Sequence, residues 1–179
     1  MTGLVTGDGF AELFRTFTRS AFRWEARPAY CEDYEAEPLR KWRAGEPDDL
    51  AWMAGWLDGI RAAAAEGRRF ERVRLYTVPP TEYLRWQQHV TPANVEAGED
   101  IRVITEGQAR ALGLPEHDFW LFDGRLVARM HFGDDGRWRG AELINETDTV
   151  ARHRAWRDLA WEHATPYPQY RDRHFARSP

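Results

Sequence analysis

A single α/β domain with a mixed, largely antiparallel sheet flanked by helices is the fold class this chain predicts. Three observations carry that prediction. Segments with apolar residues at alternate positions interleave with segments whose apolar residues recur every three or four. The last strands follow one another closely around an Asp-Gly pair, a strong hairpin signal. And 179 residues, 42% hydrophobic with nine Trp, can bury a substantial core within one domain.

Residues 1–68 read as a mainly helical N-terminal part. DGFAELFRTFTRS, residues 8–20, repeats Phe10, Leu13, Phe14 and Phe17 at helical spacing, with Asp8 as candidate N-cap. In AFRWEA, residues 21–26, Phe22 and Trp24 alternate with Arg23 and Glu25, which predicts a strand with one wet face ended by Pro28. EDYEAEPLRKWRAGEP, residues 32–47, predicts an exposed helix. DDLAWMAGWLDGIRAAAAEG, residues 48–67, predicts a stronger one, with Leu50, Met53, Trp56, Leu57, Ile60 and Ala64 in a stripe and Gly67 at its end.

Residues 69–166 read as the sheet and a C-terminal helix. Phe70, Val73, Leu75 and Thr77 give a strand stopped by Pro79-Pro80. TEYLRWQQHV, residues 81–90, predicts a short helix, and TPANVEAGED a connection into the strand IRVIT, residues 101–105. EGQARALG is a short helix ended by Gly113. FWLFD, residues 119–123, is apolar on both faces, so it belongs in the middle of the sheet. Asp123-Gly124 turns the chain into LVARMHF, residues 126–132, and GDDG turns it again into RWRGAELI, residues 137–144. A long helix, TVARHRAWRDLAWEHA, runs to Pro166, with Asp148 or Thr149 as its cap, and residues 167–179 form a tail.

Composition narrows the function classes. A net charge of −4 argues against a whole-protein attraction to nucleic acid. Cys31 stands alone, so there is neither a disulfide framework nor a Cys-type zinc site. No run reaches the ~20 apolar residues of a membrane span. The N-terminus shows no signal-peptide pattern, and a cytoplasmic location is expected. Glycine-rich phosphate loops and G-x-S-x-G elbows are absent, and the only serines are Ser20 and Ser178. No cofactor or metal is expected.

The busiest stretch is EHDFWLFDGRLVARMHF, residues 116–132. Asp123 and His131 lie on the order of 25 Å apart along their strand, too far to share an ion. Asp123 is read as the residue that tolerates the turn. His117, just before one strand, is placed to meet His131 at the end of the next. Such a pair could transfer protons, and it is equally a pair of satisfied surface histidines. The last helix carries His153, Asp158, Glu162 and His163 without zinc-protease spacing, and reads as a charged outer face over Trp156, Leu159 and Ala160. Tyr83, Arg85 and Trp86, with Arg72 and Arg74 before them, raise a nucleic-acid reading, but three-residue spacing is the ordinary spacing of a core stripe.

Taken together, ELFRTFTRSAFRWEARPAY, GEPDDLAWMAGWLDGIRAA, RRFERVRLYTVPPTEYLRWQQHVTPANVEAGEDIRVI, GLPEHDFWLFDGRLVARMHF and ARHRAWRDLAWEHATP resemble one uncharacterised family, a domain of unknown function abundant in filamentous actinobacteria. The resemblance implies a cytoplasmic protein often encoded beside a helix-turn-helix regulator, and it carries no catalytic residues. More distantly, IRVIT, FWLFDGRLVARMHF and RGAELI with the following helix resemble one half of a phospholipase D-like domain, whose strand bears His-x-Lys-x4-Asp. With Asp123 in the Asp place, Glu116 stands where His belongs and Asp118 where Lys belongs. A carboxylate cannot neutralise a phosphate, so the resemblance implies a version without that chemistry.

The expected function is therefore a non-enzymatic regulatory or interaction protein. Its partner would be another protein, such as a helix-turn-helix regulator, or a small anionic ligand. Arg74, Tyr83, Trp86, Arg102, His117, Arg129 and His131 are the expected pocket walls, near the sheet end at His117. The alternatives are an enzyme acting on a phosphate-containing or modified amino-acid substrate through His117 or His131, and a nucleic-acid binder.

Overall fold

The computed structural model describes residues 3–174. Along the chain run α1 (Gly7–Thr16), β1 (Ser20–Glu25), α2 (Asp33–Ala44), a short 3-10 turn (Ala51–Met53), α3 (Ala54–Ala65), β2 (Arg69–Tyr76), α4 (Glu82–Ala97), β3 (Asp100–Thr105) and α5 (Glu106–Ala111). Then come β4 (Phe119–Phe122), β5 (Leu126–Phe132), β6 (Trp138–Ile144), α6 (Thr147–His163), β7 (Thr165–Pro166) and α7 (Tyr167–His174). The strands make one mixed sheet in the order β6-β5-β4-β1-β2-β3-β7. The β1-β2 and β2-β3 pairs are parallel and the other four pairs antiparallel. No helix among the described residues is long and apolar enough to cross a membrane.

Strand alternation divides the core. Phe22 and Trp24 of β1, Val73 and Leu75 of β2, and Phe119 and Leu121 of β4 face α5 and α6. Phe70, Trp120 and Phe122 face the other way, against Phe17, Met53, Leu57, Ile60 and Trp86 from the α1, α3 and α4 side. The wet face expected of β1 is instead buried. Arg23 and Glu25 are each only 5% exposed, because β1 is an inner strand with helices on both sides.

Four further departures from the sequence reading have physical causes. The helix expected to stop at residue 90 continues through Pro92 to Ala97. Proline removes the donor that would bond the carbonyl of Gln88. The Tyr167 hydroxyl donates to that carbonyl at 3.1 Å, so the acceptor stays satisfied. The helix expected from residue 48 starts later, behind a 3-10 turn whose entry residue, Leu50, has φ 58°. The tail is structured over residues 167–174, where α7 packs Tyr167 and Tyr170 against Tyr76, Ile101 and Val103. The remaining tail, 175–179, lies outside the described residues. Finally β7, unread in the sequence, adds two residues antiparallel to β3.

At the far edge, Val5 bridges Ala141, its N–H donating at 2.8 Å and its carbonyl accepting at 2.9 Å. The approach requires glycine beside it. Gly140 has φ 138°, and a Cβ there would come 2.7 Å from the Cβ of Leu4.

The Asp123-Gly124 turn does more than reverse the chain. Asp123 takes φ 53° as expected. Its carboxylate also accepts from the backbone N–H groups of Thr18, Arg19 and Ser20 at 2.7 to 3.1 Å, clamping the start of β1. Burial pushes the Asp123 carboxyl up, but these three donors outweigh it and hold its pKa below the ordinary value.

Candidate functional site

Parallel, in-register pairing of β1 with β2 sets Arg23 beside Arg72 and Glu25 beside Arg74. On the other side of β1, Arg23 pairs with Trp120 of β4. These side chains form the floor of a cavity of about 430 Å³ between the sheet and the helices. That size lies within the range of small-molecule sites. Aromatic residues from many elements make its walls: Phe10 and Phe14 of α1, Tyr34 of α2, Trp52 of the 3-10 turn, Trp56 of α3 and Tyr83 of α4. Tyr30, Phe132 and Trp138 close it from the β1–α2 loop and the meander.

The floor is a buried ionic network. Glu25 sits between Arg72 and Arg74, with Arg23 Nε 3.8 Å away. Arg72 also donates to Glu99 at 2.7 Å, and Arg23 to Asp118 at 2.6 Å. Arg74 is further bonded to Gln87 and Thr91 of α4. Asp118 also accepts from the Tyr30 hydroxyl at 2.6 Å and from the Ala26 N–H at 3.0 Å. Burial alone would raise the Glu25 pKa. Attraction to Arg72, Arg74 and Arg23 overcomes that and holds it far below the usual carboxylate range. The Arg23 and Arg72 guanidiniums both lie against the Trp120 ring, at 5.7 and 5.8 Å from its centroid.

Two carboxylates at the outer end differ. Glu35 accepts from the Tyr83 hydroxyl at 3.0 Å, and Glu32 from the Trp138 N–H at 3.3 Å. Neither forms a salt bridge among the described residues. Burial pushes the Glu35 carboxyl up to about 7, against the lowering effect of Tyr83 and Arg74. Burial likewise raises Glu32.

The residues expected to wall one pocket are divided by the sheet. Arg74 and Tyr83 line the cavity, and Trp86 is buried behind it, stacked on Trp52 with centroids 6.0 Å apart. Arg102, His117, Arg129 and His131 lie on the α6 side. Arg102 packs on the Trp161 ring at 3.8 Å and donates to the Trp161 carbonyl. Arg129 and His131 both approach Glu142, at 3.5 Å.

His117 meets His153 of α6, with their Nε2 atoms 3.1 Å apart, and not His131. His153 is buried, although its helix reads in sequence as a charged outer face. Its Nδ1 lies 2.8 Å from the Thr149 carbonyl, which can only accept, so Nδ1 carries the proton. His153 Nε2 is then the acceptor and His117 Nε2 the donor. Burial lowers both pKa values, that of His117 to about 4, helped by Arg129, His153 and His131. The pair is therefore neutral at pH 7. No carboxylate hydrogen-bonds either ring among the described residues.

Among the described residues, no group of three or more His, Cys, Asp or Glu side chains could hold a metal ion. A second concavity, of about 400 Å³, opens at the Asp123 turn, where Arg19, Arg69, Arg125, Arg154 and Arg157 surround Asp123 and Asp158.

Sequence reasoning missed the aromatic cavity because its residues come from eleven separate elements and loops. The signal that was present is Arg23-x-Glu25 in one strand and Arg72-x-Arg74 in another. Charges repeated on one face of two inner strands require mutual pairing when buried.

A family model described as "Domain of unknown function (DUF6879)" matches residues 8–172, so the chain belongs to that family. No curated protein matches it.

Proposed function

We propose that this member of an uncharacterised family is a regulatory ligand-binding module, with the aromatic cavity as its ligand seat. One observation carries the reading: a cavity of about 430 Å³ is walled by aromatic rings over a floor of paired ions, in which Arg23 Nη1 and Glu99 Oε2 keep no hydrogen-bond partner. A purely structural interior would be close-packed instead. The large apolar side chains exposed among the described residues are only Leu4, Tyr34 and Val78. That scatter favours a small ligand over a broad protein-docking patch. A helix-turn-helix regulator is the proposed partner that reads occupancy of the cavity.

His117, its pKa lowered to about 4, is a weak base at pH 7, no carboxylate hydrogen-bonds either ring of the His117–His153 pair among the described residues, and Glu116 and Asp118 do not supply the cation that phosphoryl transfer needs. This supports a non-enzymatic reading over the enzymatic one. A second reading, an anionic ligand at the Arg19–Arg69–Arg125–Arg154–Arg157 groove, is favoured by that clustering of guanidiniums.

A small-molecule melting-point screen on the whole chain tests the proposal, with hits followed through indole N–H resonances. Trp52 and Trp56 donate to Asp48 and Asn94, so their resonances report from the cavity wall. A true ligand raises the melting point and moves both signals. Hits that move neither, or a complete lack of hits, count against the cavity. Stabilisation by sulfate that is lost in Arg154→Ala would favour the groove.

A further inference from the structure

We propose that the cavity takes a small organic cation, its ammonium or guanidinium group held among the rings of Tyr30, Tyr34, Trp52 and Tyr83 with Glu35 as counter-charge. The inference rests on the ligand-binding reading above and adds the charge of the ligand. It stands on geometry and charge balance.

Consider first what an anion would meet. Arg72 is engaged by Glu25 and Glu99, Arg74 by Glu25, Gln87 and Thr91, and Arg23 by Asp118 through Nη2, while Arg23 Nη1 is buried without a hydrogen-bond partner. An anion would find only that nitrogen without a partner, closed to solvent on a side chain already flanked by Glu25 and Asp118. A cation meets the opposite situation. Three guanidiniums face five carboxylates once Glu32, Glu35, Glu99 and Asp118 join Glu25, so with all ionised the site is negative. The two carboxylates without a salt bridge are the outer ones, Glu32 and Glu35, where a ligand enters. Tyr34 beside them is 64% exposed.

Four electron-rich rings line the cavity in two packed pairs. Tyr30 and Tyr83 lie with centroids 5.7 Å apart, and Tyr34 and Trp52 6.1 Å apart. Electron-rich ring faces attract cations within about 6 Å of a centroid, most strongly when water is excluded.

Protonation follows. The groups facing Glu35 are Tyr83 and Arg74, which lower its pKa, and Glu25 and Glu32, which raise it; burial, the largest influence, brings it to about 7. A bound cation stabilises the ionised carboxylate. Binding near pH 7 therefore releases a proton, and affinity rises from pH 6 to pH 8.

The test is calorimetry on the full chain with benzyltrimethylammonium, phenylacetate and benzyl alcohol, alongside the Trp52 indole resonance. Benzyltrimethylammonium should bind at least tenfold more tightly than phenylacetate. Its binding heat at pH 7 should differ between phosphate and Tris by an amount that reports proton release. Glu35→Gln should cost about tenfold in its affinity while leaving the melting temperature unchanged or higher. Equal or tighter binding of phenylacetate overturns the proposal, as does a cation affinity within twofold of normal in Glu35→Gln. If benzyl alcohol or phenylacetate moves the Trp52 signal and the cation does not, the ligand class falls and the cavity reading survives. If no probe moves it, both fall.

Discussion

Replacing Glu25 by Ala removes the one carboxylate shared by three guanidiniums. Arg72 and Arg74 contact it directly and Arg23 Nε lies 3.8 Å away. At an effective dielectric of ~20, each such attraction at ~4 Å is worth about 4 kcal/mol. Desolvation of the carboxylate, several kcal/mol, offsets much of this. Within the salt-bridged floor, apart from the outer Glu32 and Glu35, the variant is left with Glu99 and Asp118 against Arg23, Arg72 and Arg74, one positive charge in excess. Breaking a buried ionic network in this way costs about 3–5 kcal/mol. For a chain of this size that is a fall in melting temperature of roughly 6–20 °C. Urea unfolding at pH 7 measures it, as a lower midpoint at unchanged slope. Glu25→Gln separates charge from volume, and should lose nearly as much as Glu25→Ala. The folded-state pKa of Glu25 is depressed, so its stabilisation is complete above the ordinary carboxylate pKa of 4.5 and is lost as pH falls toward the folded value. Glu25→Gln should accordingly show a shallower loss of stability in acid. A cost below about 1 kcal/mol, or full rescue by Gln, would refute the assignment of Glu25 as the centre of the floor.

Three other outcomes are expected. Asp123→Gly keeps the positive φ but removes an acceptor of three backbone N–H groups, and should cost about 2–4 kcal/mol in denaturant unfolding; a loss no larger than that of a surface substitution would leave Asp123 as a turn residue only. Tyr167→Phe should cost about 1 kcal/mol, and less in a Pro92→Ala background, where an N–H returns to bond the Gln88 carbonyl; a double-mutant cycle without coupling would deny the compensation. The pKa values of His117 and His153 are lowered by folding, so their stabilisation is complete above pH 6.5 and is lost as pH falls toward about 4; His117→Gln should flatten the stability profile across that window by about 1–3 kcal/mol, and an unchanged slope would contradict the neutral pair.

Local pattern determined a good deal. The fold class, the central place of FWLFD, the meander and the φ of Asp123 follow from apolar alternation and turn chemistry, which act over a few residues. Element ends moved where a distant group intervened. Pro92 reads as a stop until Tyr167, far along the chain, supplies a donor for the carbonyl it orphans. Residues 167–174 read as part of a tail until Tyr167 and Tyr170 find β3.

The candidate site is the clearest case of tertiary choice. Arg74 and Tyr83 read as pocket walls from their chemistry, but Arg102, His117, Arg129 and His131 sit across the sheet from them. Alternation within a strand assigns two faces. Which face meets which helix is decided only when strand order places β1 between β2 and β4. That order turns Arg23 and Glu25 from a wet face into a sealed ionic floor. It also gathers rings from both ends of the chain above it. Spacing along a sequence records how neighbours share a face; it does not record which remote surface will cover that face, because burial is settled by packing between elements.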